Sequence, residues 1–350
     1  MRRVAWLPAT VVNELPLLAI LFLGASTALA IADGNIDSAA GWVCVGIAAL
    51  TVVGLLVVAH RATLARPALE HALKNALGPG ARGAAEMPSP SRSALLAAGF
   101  APWFTQRHGV KRVADLSYGD AGEENKLDLY ARGSGRAGAP TLVYFHGGGY
   151  FSGAKSREAR ALLYRLAREG WTCISANYRL RPRADLFEQL VDAKRAIAWA
   201  LRDAGGGEPG PLFVAGSSAG GHLAALAAPT PNEPELQPGF ELVDTSVSGA
   251  ICLYAYLGNY YGMGAESSPL GNIRPDAPPF FLAQGTASEK FPSAMTRPPC
   301  VSTAALERRE YARYSSRSAM SKRFNAHIEA SPFMLDLRPR QSRQSARPAG

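Results

Sequence analysis

Cysteine and histidine are both scarce. Four cysteines, Cys44, Cys173, Cys252 and Cys300, stand far apart with no CxxC pair, and the six histidines form no cluster with them. That spacing excludes a disulfide framework and a zinc centre, and leaves free thiols packed as small apolar groups. Net charge is scarce over most of the chain. Of a formal +9, residues 287–350 hold +7, from 12 Lys and Arg against 5 Asp and Glu, so the first 286 residues carry only +2. The basicity therefore belongs to the tail and not to a fold, and its arginines lack the interleaved aromatics of a nucleic-acid surface. The tail is also poor in other residue types. One glycine and five Val, Ile or Leu in its 64 residues leave too little for a last buried parallel strand and its turns, and predict a disordered basic segment. Nothing in the chain calls for a nucleotide, flavin or metal cofactor.

Near the N-terminus two runs, 15–32 and 38–59, contain no charged residue. Each is close to the ~20 residues a helix needs to cross a bilayer. With the short turn A-D-G-N-I-D-S between them, they predict a two-helix transmembrane hairpin. Arg2 and Arg3 flank its start and His60, Arg61 and Arg66 its end, so both ends, and everything after residue 60, are expected in the cytoplasm. One competing reading is a signal peptide cleaved after A-L-A at 28–30, leaving a lone anchor. Another is a buried soluble helix pair, against which the absence of a polar stripe speaks. Residues 67–115 then read as a linker and cap-like segment, with G-P-G-A-R-G-A-A-E-M-P-S-P-S-R at 78–92 flexible by composition. The core is expected over 116–286 and the tail over 287–350.

Within 116–286 strands and helices alternate. K-L-D-L-Y-A (126–131), T-L-V-Y-F (141–145), W-T-C-I-S-A (171–176), P-L-F-V-A (211–215), V-S-G-A-I-C-L-Y (247–254) and P-F-F-L-A (279–283) read as strands. Residues 156–170, capped by Ser156, and 190–201 read as helices. This is the pattern of an α/β fold, a mostly parallel sheet with helices on both faces and its site beyond the carboxyl ends of the strands. Three glycine-bearing loops fall there: H-G-G-G-Y (146–150), G-S-S-A-G (216–220) and Q-G-T (284–286).

G-x-S-x-G between a strand and a helix is the pattern of a nucleophile elbow, which exposes the Ser218 hydroxyl above the sheet with the amide of Ala219 aimed at the same point. An ordinary Gly/Ser loop has the same letters. H-G-G-G, 70 residues earlier at another strand end, adds candidate oxyanion donors in the amides of Gly147 and Gly148. His222 reads as a packed histidine, His146 as a brace of its own loop and Asp192 as a loop anchor. The aromatic run 254–262 suits either an acyl pocket or a structural lid.

Y-F-H-G-G-G-Y, S-A-N-Y-R-L-R-P, A-G-S-S-A-G-G-H-L-A-A and D-A-K-R-A-I-A-W together make residues 120–286 resemble the hormone-sensitive-lipase-like branch of the α/β-hydrolase esterases. The resemblance implies metal-free acyl transfer from small-molecule esters or lipids through Ser218, with Gly147, Gly148 and Ala219 as oxyanion donors. A related branch that cleaves formamides and feruloyl-type esters shares these signatures, so an amidase stays open. In such a fold the acid and the histidine follow the serine along the chain. Past Thr286 the nearest carboxylate is Glu289 and the remaining histidine is His327, neither in the expected setting. The tail is thus read as divergent or as translated in a shifted frame. A catalytically silent membrane protein whose basic tail meets anionic lipid is the third reading.

Overall fold

A computed structural model of the chain describes residues 15–63, 67, 108–133, 138–204, 210–272, 274–284 and 301–302. The N-terminal part is a pair of helices, α1 (Pro16–Ala32) and α2 (Ala39–Thr63), packed against each other across the turn at 33–38. Among the described residues only α2 is long and apolar enough to cross a membrane, over Ala39–Arg61 with a mean hydropathy of 2.6. This corrects the expected double span. At ~1.5 Å per residue, the 17 residues of α1 reach ~25 Å, short of a hydrocarbon core of ~30 Å. The soluble-pair reading fares no better, because only 6 % of α2's apolar window is buried and Leu50 is 74 % exposed.

The remainder builds one sheet of eight strands: β1 (Lys111–Ser117), β2 (Lys126–Ala131), β3 (Thr141–Phe145), β4 (Thr172–Ala176), β5 (Leu212–Ser217), β6 (Gly249–Leu253), β7 (Phe280–Ala283) and β8 (Val301–Ser302). Their spatial order is β1-β2-β4-β3-β5-β6-β7-β8. The five central strands β4, β3, β5, β6 and β7 are parallel, while β1, β2 and β8 run antiparallel to their neighbours. Six of the eight follow the expected strands within a few residues. β1 was hidden in the linker segment, because K-R-V-A-D-L-S is an exposed edge with no buried face to pattern it.

Alternation along β3 sorts the core. Leu142 and Tyr144 pack with Tyr130, Cys173 and Ala215 against α3 (Arg160–Arg168), through its Leu163, Tyr164 and Ala167. Val143 and Phe145 face the other way, toward α4 (Leu186–Asp203) and α5 (Ala219–Ala227), among Ile174, Val214, Ile197 and Leu223. α4 starts four residues before its expected position. Asp185 and Glu188 close a capping box there, each side chain accepting from the other's backbone N–H. α3 starts at Arg160, and its first turn is preceded by Ala159, not by a Ser156 cap. Residues 154–158 instead form a turn that carries two side chains, Lys155 and Glu158, into the interior.

Candidate active site

Ser218 sits between β5 and α5 with φ 50° and ψ −112°. A non-glycine residue at such angles carries backbone strain that its surroundings must hold in place. They do so with hydrogen bonds: Ser218 N–H donates to Leu253 O at 3.0 Å, and Ser218 O accepts from His222 and Tyr256 N–H at 3.0 and 3.3 Å. The flanking glycines are needed for close approach. A Cβ at Gly216 would run into the backbone of Gly220, and one at Gly220 into the carbonyls of Phe145 and His146. The elbow is therefore pressed onto the β3 loop, and the amide of Ala219 opens the first turn of α5, where backbone donors lack partners within the helix.

The glycine loop follows β3 directly and is anchored from several sides. His146 is buried, stacked on Tyr178 at 4.6 Å, and its Nδ1–H donates to Gly147 O at 2.8 Å. Burial pushes its pKa down, and the neutral ring is a brace, as expected. Gly147 is a different matter. Its N–H donates to Glu158 Oε2 at 3.0 Å, and the same oxygen accepts from Tyr144 Oη at 3.3 Å and from the hydroxyl of Ser217, the residue before the nucleophile. The amide expected to serve an oxyanion is thus already committed to a carboxylate. Glu158 itself was not among the expected site residues. It reaches Ser217 across 59 positions of sequence and so ties the elbow to the glycine loop, and no local motif announces it.

His222 lies at the back of the elbow, fully buried. Its Nε2 faces Gly258 O at 3.1 Å, which only accepts, so Nδ1 accepts from Tyr150 Oη at 2.7 Å. Burial pushes its pKa down to about 4. A neutral ring with both nitrogens engaged cannot serve as the base. Asp192 holds the loop after β4, accepting from the Arg179 backbone N–H and from its Nε and Nη2, each at 2.9 Å. Of the aromatic run, Tyr260 is buried and bonds Gln189, Tyr261 donates to Gly149 O at 2.9 Å, and Tyr254 is exposed. It acts as a wall behind the glycine loop. Glu289 and His327 lie outside the described residues.

Two features sit away from the elbow. A cleft of ≈ 440 Å³ opens between Asn125, Arg179, Phe187 and Arg195, and none of its walls belongs to the elbow or the glycine loop. On the sheet's β1–β2 side, buried Asp128 accepts from Lys155 Nζ at 2.5 Å and from Arg112 Nη2 at 2.6 Å. Among the described residues no group of three or more His, Cys, Asp and Glu is placed to hold a metal ion.

Residues 127–263 match the BD-FAE family model. The chain is 34% identical over 265 residues to "Esterase LipQ" of Mycobacterium tuberculosis, covering 65% of this chain and 62% of that protein. It is 32% identical over 298 residues to "Probable carboxylic ester hydrolase LipM" of the same organism, covering 72% and 66%. A "Kynurenine formamidase" of Danio rerio is 29% identical over 124 residues, 35% of this chain and 41% of that one. The chain thus spans roughly two thirds of the length of the first two relatives. The region matched by the family model carries both the elbow and the glycine loop.

Proposed function

Starting from the premise that residues 127–263 form an α/β-hydrolase module akin to the hormone-sensitive-lipase-like esterases, we propose that the chain is a serine hydrolase of carboxylic esters. The observation that carries this is the strained Ser218 at a strand-to-helix turn with a glycine loop pressed against it. The scissile carbonyl would lie over Ser218, its developing negative charge met by the amides of Ala219 and Gly148. Gly147 would join them only if Glu158 released its N–H. Serine attack forms an acyl-enzyme and expels the alcohol; water then cleaves the acyl-enzyme to acid and free serine. The acid and the base for these proton transfers would have to come from the part of the chain after Thr286, where Glu289 and His327 are the candidates.

The likeness to a formamidase supports a second reading, hydrolysis of an amide by the same acyl-enzyme route. The two differ only in leaving group, so matched ester and amide substrates separate them. Seating α2 in a bilayer follows from its surface. Trp42, Val43, Ile47, Leu50, Val53, Leu56 and Val57 are all exposed, and each would cost ~1.5–3 kcal/mol in water relative to an apolar environment. The basic end of α2, His60 and Arg61, would then face the cytoplasm.

A fluorophosphonate probe on the detergent-extracted chain, with Ser218→Ala beside it, tests the reading. Labelling that disappears in the variant shows an activated serine. Folded protein that does not label at all refutes the proposal.

A further inference from the structure

Two arginines on the loop after β4 have opposite fates. Arg179 is fully engaged with carboxylates, Asp192 through Nε and Nη2 and Glu188 through Nη1 at 2.9 Å. Arg181, two residues on, has no carboxylate partner among the described residues. Its guanidinium carbon lies 5.1 Å from the ring centre of Phe151, 5.4 Å from that of Tyr260 and 4.7 Å from that of Tyr261. Its Nη1 is buried there without a hydrogen-bond partner. Aromatic faces attract a cation, and the Tyr260 hydroxyl lies within hydrogen-bonding reach of the guanidinium, but neither carries a countercharge, so the fork is held in position with its charge unneutralised.

The place matters as much as the charge. Arg181 N–H donates to Tyr150 O at 2.8 Å, and Tyr261, one of its three rings, donates to Gly149 O. The aromatic box is thus fastened to the same glycine loop that lies against the elbow. Phe151 and Tyr261 are only partly covered, so one rim of the box faces out beside the loop. Deeper in the same wall, fully buried Gln189 bonds Tyr260 through Oε1, and its Nε2 also lacks a partner. Two donors of this wall, Arg181 Nη1 and Gln189 Nε2, are unpartnered, and no anion reaches them among the described residues.

We propose that Arg181 and its aromatic box form a subsite for an oxyanion, a carboxylate or phosphate carried by the substrate itself, so that the chain prefers anionic esters to neutral ones. A planar fork fixed among rings suits bidentate pairing with such a group, and little side-chain freedom is lost when the pair forms. This rests on the ester-hydrolase reading above, which gives the subsite its purpose, but the test can separate the two.

Binding is measured on Ser218→Ala in detergent micelles, where no turnover occurs. N-butyl glutaramate is set against neutral N-butyl pentanamide for the carboxylate, and butyl phosphate against butanol for the phosphate. At least one anionic probe should bind about tenfold or more tightly than its neutral partner, the scale of a charge-assisted pair. That preference should vanish in an Arg181→Gln, Ser218→Ala double variant and survive in part with Arg181→Lys. Equal binding of charged and neutral probes, or a preference that persists in the Gln variant, overturns the subsite. The charged-to-neutral comparison needs no Arg181 variant, so it tests the subsite even where such a variant misfolds. Should the anion preference hold while Ser218 fails to label with fluorophosphonate, the hydrolase reading falls and the subsite stands. Should Ser218 label and esters turn over with no regard to charge, the subsite alone falls.

Discussion

Two carboxylates, Asp128 fully buried and Glu158 half-buried, divide this molecule into regions built on different principles. Asp128, on the antiparallel edge of the sheet, is met by two cations, Lys155 and Arg112. Burial would push its pKa up, but the hydrogen bonds from Lys155 and Arg112 and from the Asp115 amide outweigh that and hold it below the usual carboxylate range. Glu158, at the carboxyl end of β3, accepts instead from the Gly147 amide, the Ser217 hydroxyl and the Tyr144 phenol, all neutral. Where charges cancel, the fold has built scaffolding. Beside the strained Ser218, the carboxylate of Glu158 and the ring of His222 are held by neutral partners and meet no opposite charge among the described residues.

Breaking the cancelled site should have the largest effect. Asp128→Asn leaves the buried ammonium of Lys155 and the Arg112 guanidinium without their shared anion, and Asp115, which also pairs with Lys155, is largely exposed. We expect a loss of about 3–5 kcal/mol, read as a drop in the urea midpoint of the α/β part. Ser218 labelling at low denaturant should be unchanged. A midpoint that does not move would erase the contrast between the regions.

Lys194 comes next, because it is a cation on the elbow side with no anion in contact. It is fully buried and its Nζ donates to Ala227 O, at 2.7 Å, and to Thr230 O, beyond the end of α5. Burial pushes its pKa down from 10.5 to about 7. Between those values the unfolded chain binds a proton that the folded one does not, so stability should rise with pH from about 7 to about 10.5, by a few kcal/mol. Lys194→Met should flatten that rise, and unfolding curves at pH 7 and pH 10 compare the slopes directly. An unchanged slope would mean that the ammonium stays charged against its two carbonyls.

What could be read from the sequence follows the same division. The elbow was legible because its requirements are local: the serine, the glycines where a Cβ would clash and the strand before them lie within a dozen residues. β3 and β5 were legible because strands covered on both faces must be continuous apolar runs. β1 was not, since an exposed edge strand is specified by its pairing with β2 and not by its own residues. Glu158 was not, because three donors drawn from two strand ends and the loop beyond one of them meet it only after folding. The engagement of the Gly147 amide was hidden for the same reason: nothing in H-G-G-G says that one of its amides is already spoken for. The first apolar run was over-read as a span, since absence of charge marks an apolar helix but its length decides what it can cross.

Glu158→Gln should sharpen the comparison from the functional side. An amide with its oxygen in the Oε2 position keeps the shape and can still accept from all three donors, but without the carboxylate's charge its hold on Gly147 and Ser217 weakens. The expected result is a fluorophosphonate labelling rate lowered about 10- to 100-fold, the range for a misoriented reacting group, with a change in stability of about 1 kcal/mol. Glu158→Asp should recover part of the rate. Labelling at the parent rate would place Glu158 with Asp128, as scaffolding only.

The smallest effect probes the neutral histidine. Tyr150→Phe removes the donor to His222 Nδ1 and should cost about 1–2 kcal/mol at pH 8, the penalty of a buried acceptor left without a partner. Its pH dependence carries the information. In the parent chain burial sets the His222 pKa at about 4 against an ordinary 6.5, so stability falls as pH drops through that window, because the unfolded chain takes up a proton first. Tyr150 Oη–H stabilises only the neutral ring, so its loss moves the folded pKa back toward 6.5 and makes the fall shallower. Thermal unfolding at pH 8 and pH 5 should therefore show the two proteins well apart at the higher value and closer at the lower. Curves that stay parallel would show that the Tyr150 hydroxyl does not help to keep His222 neutral.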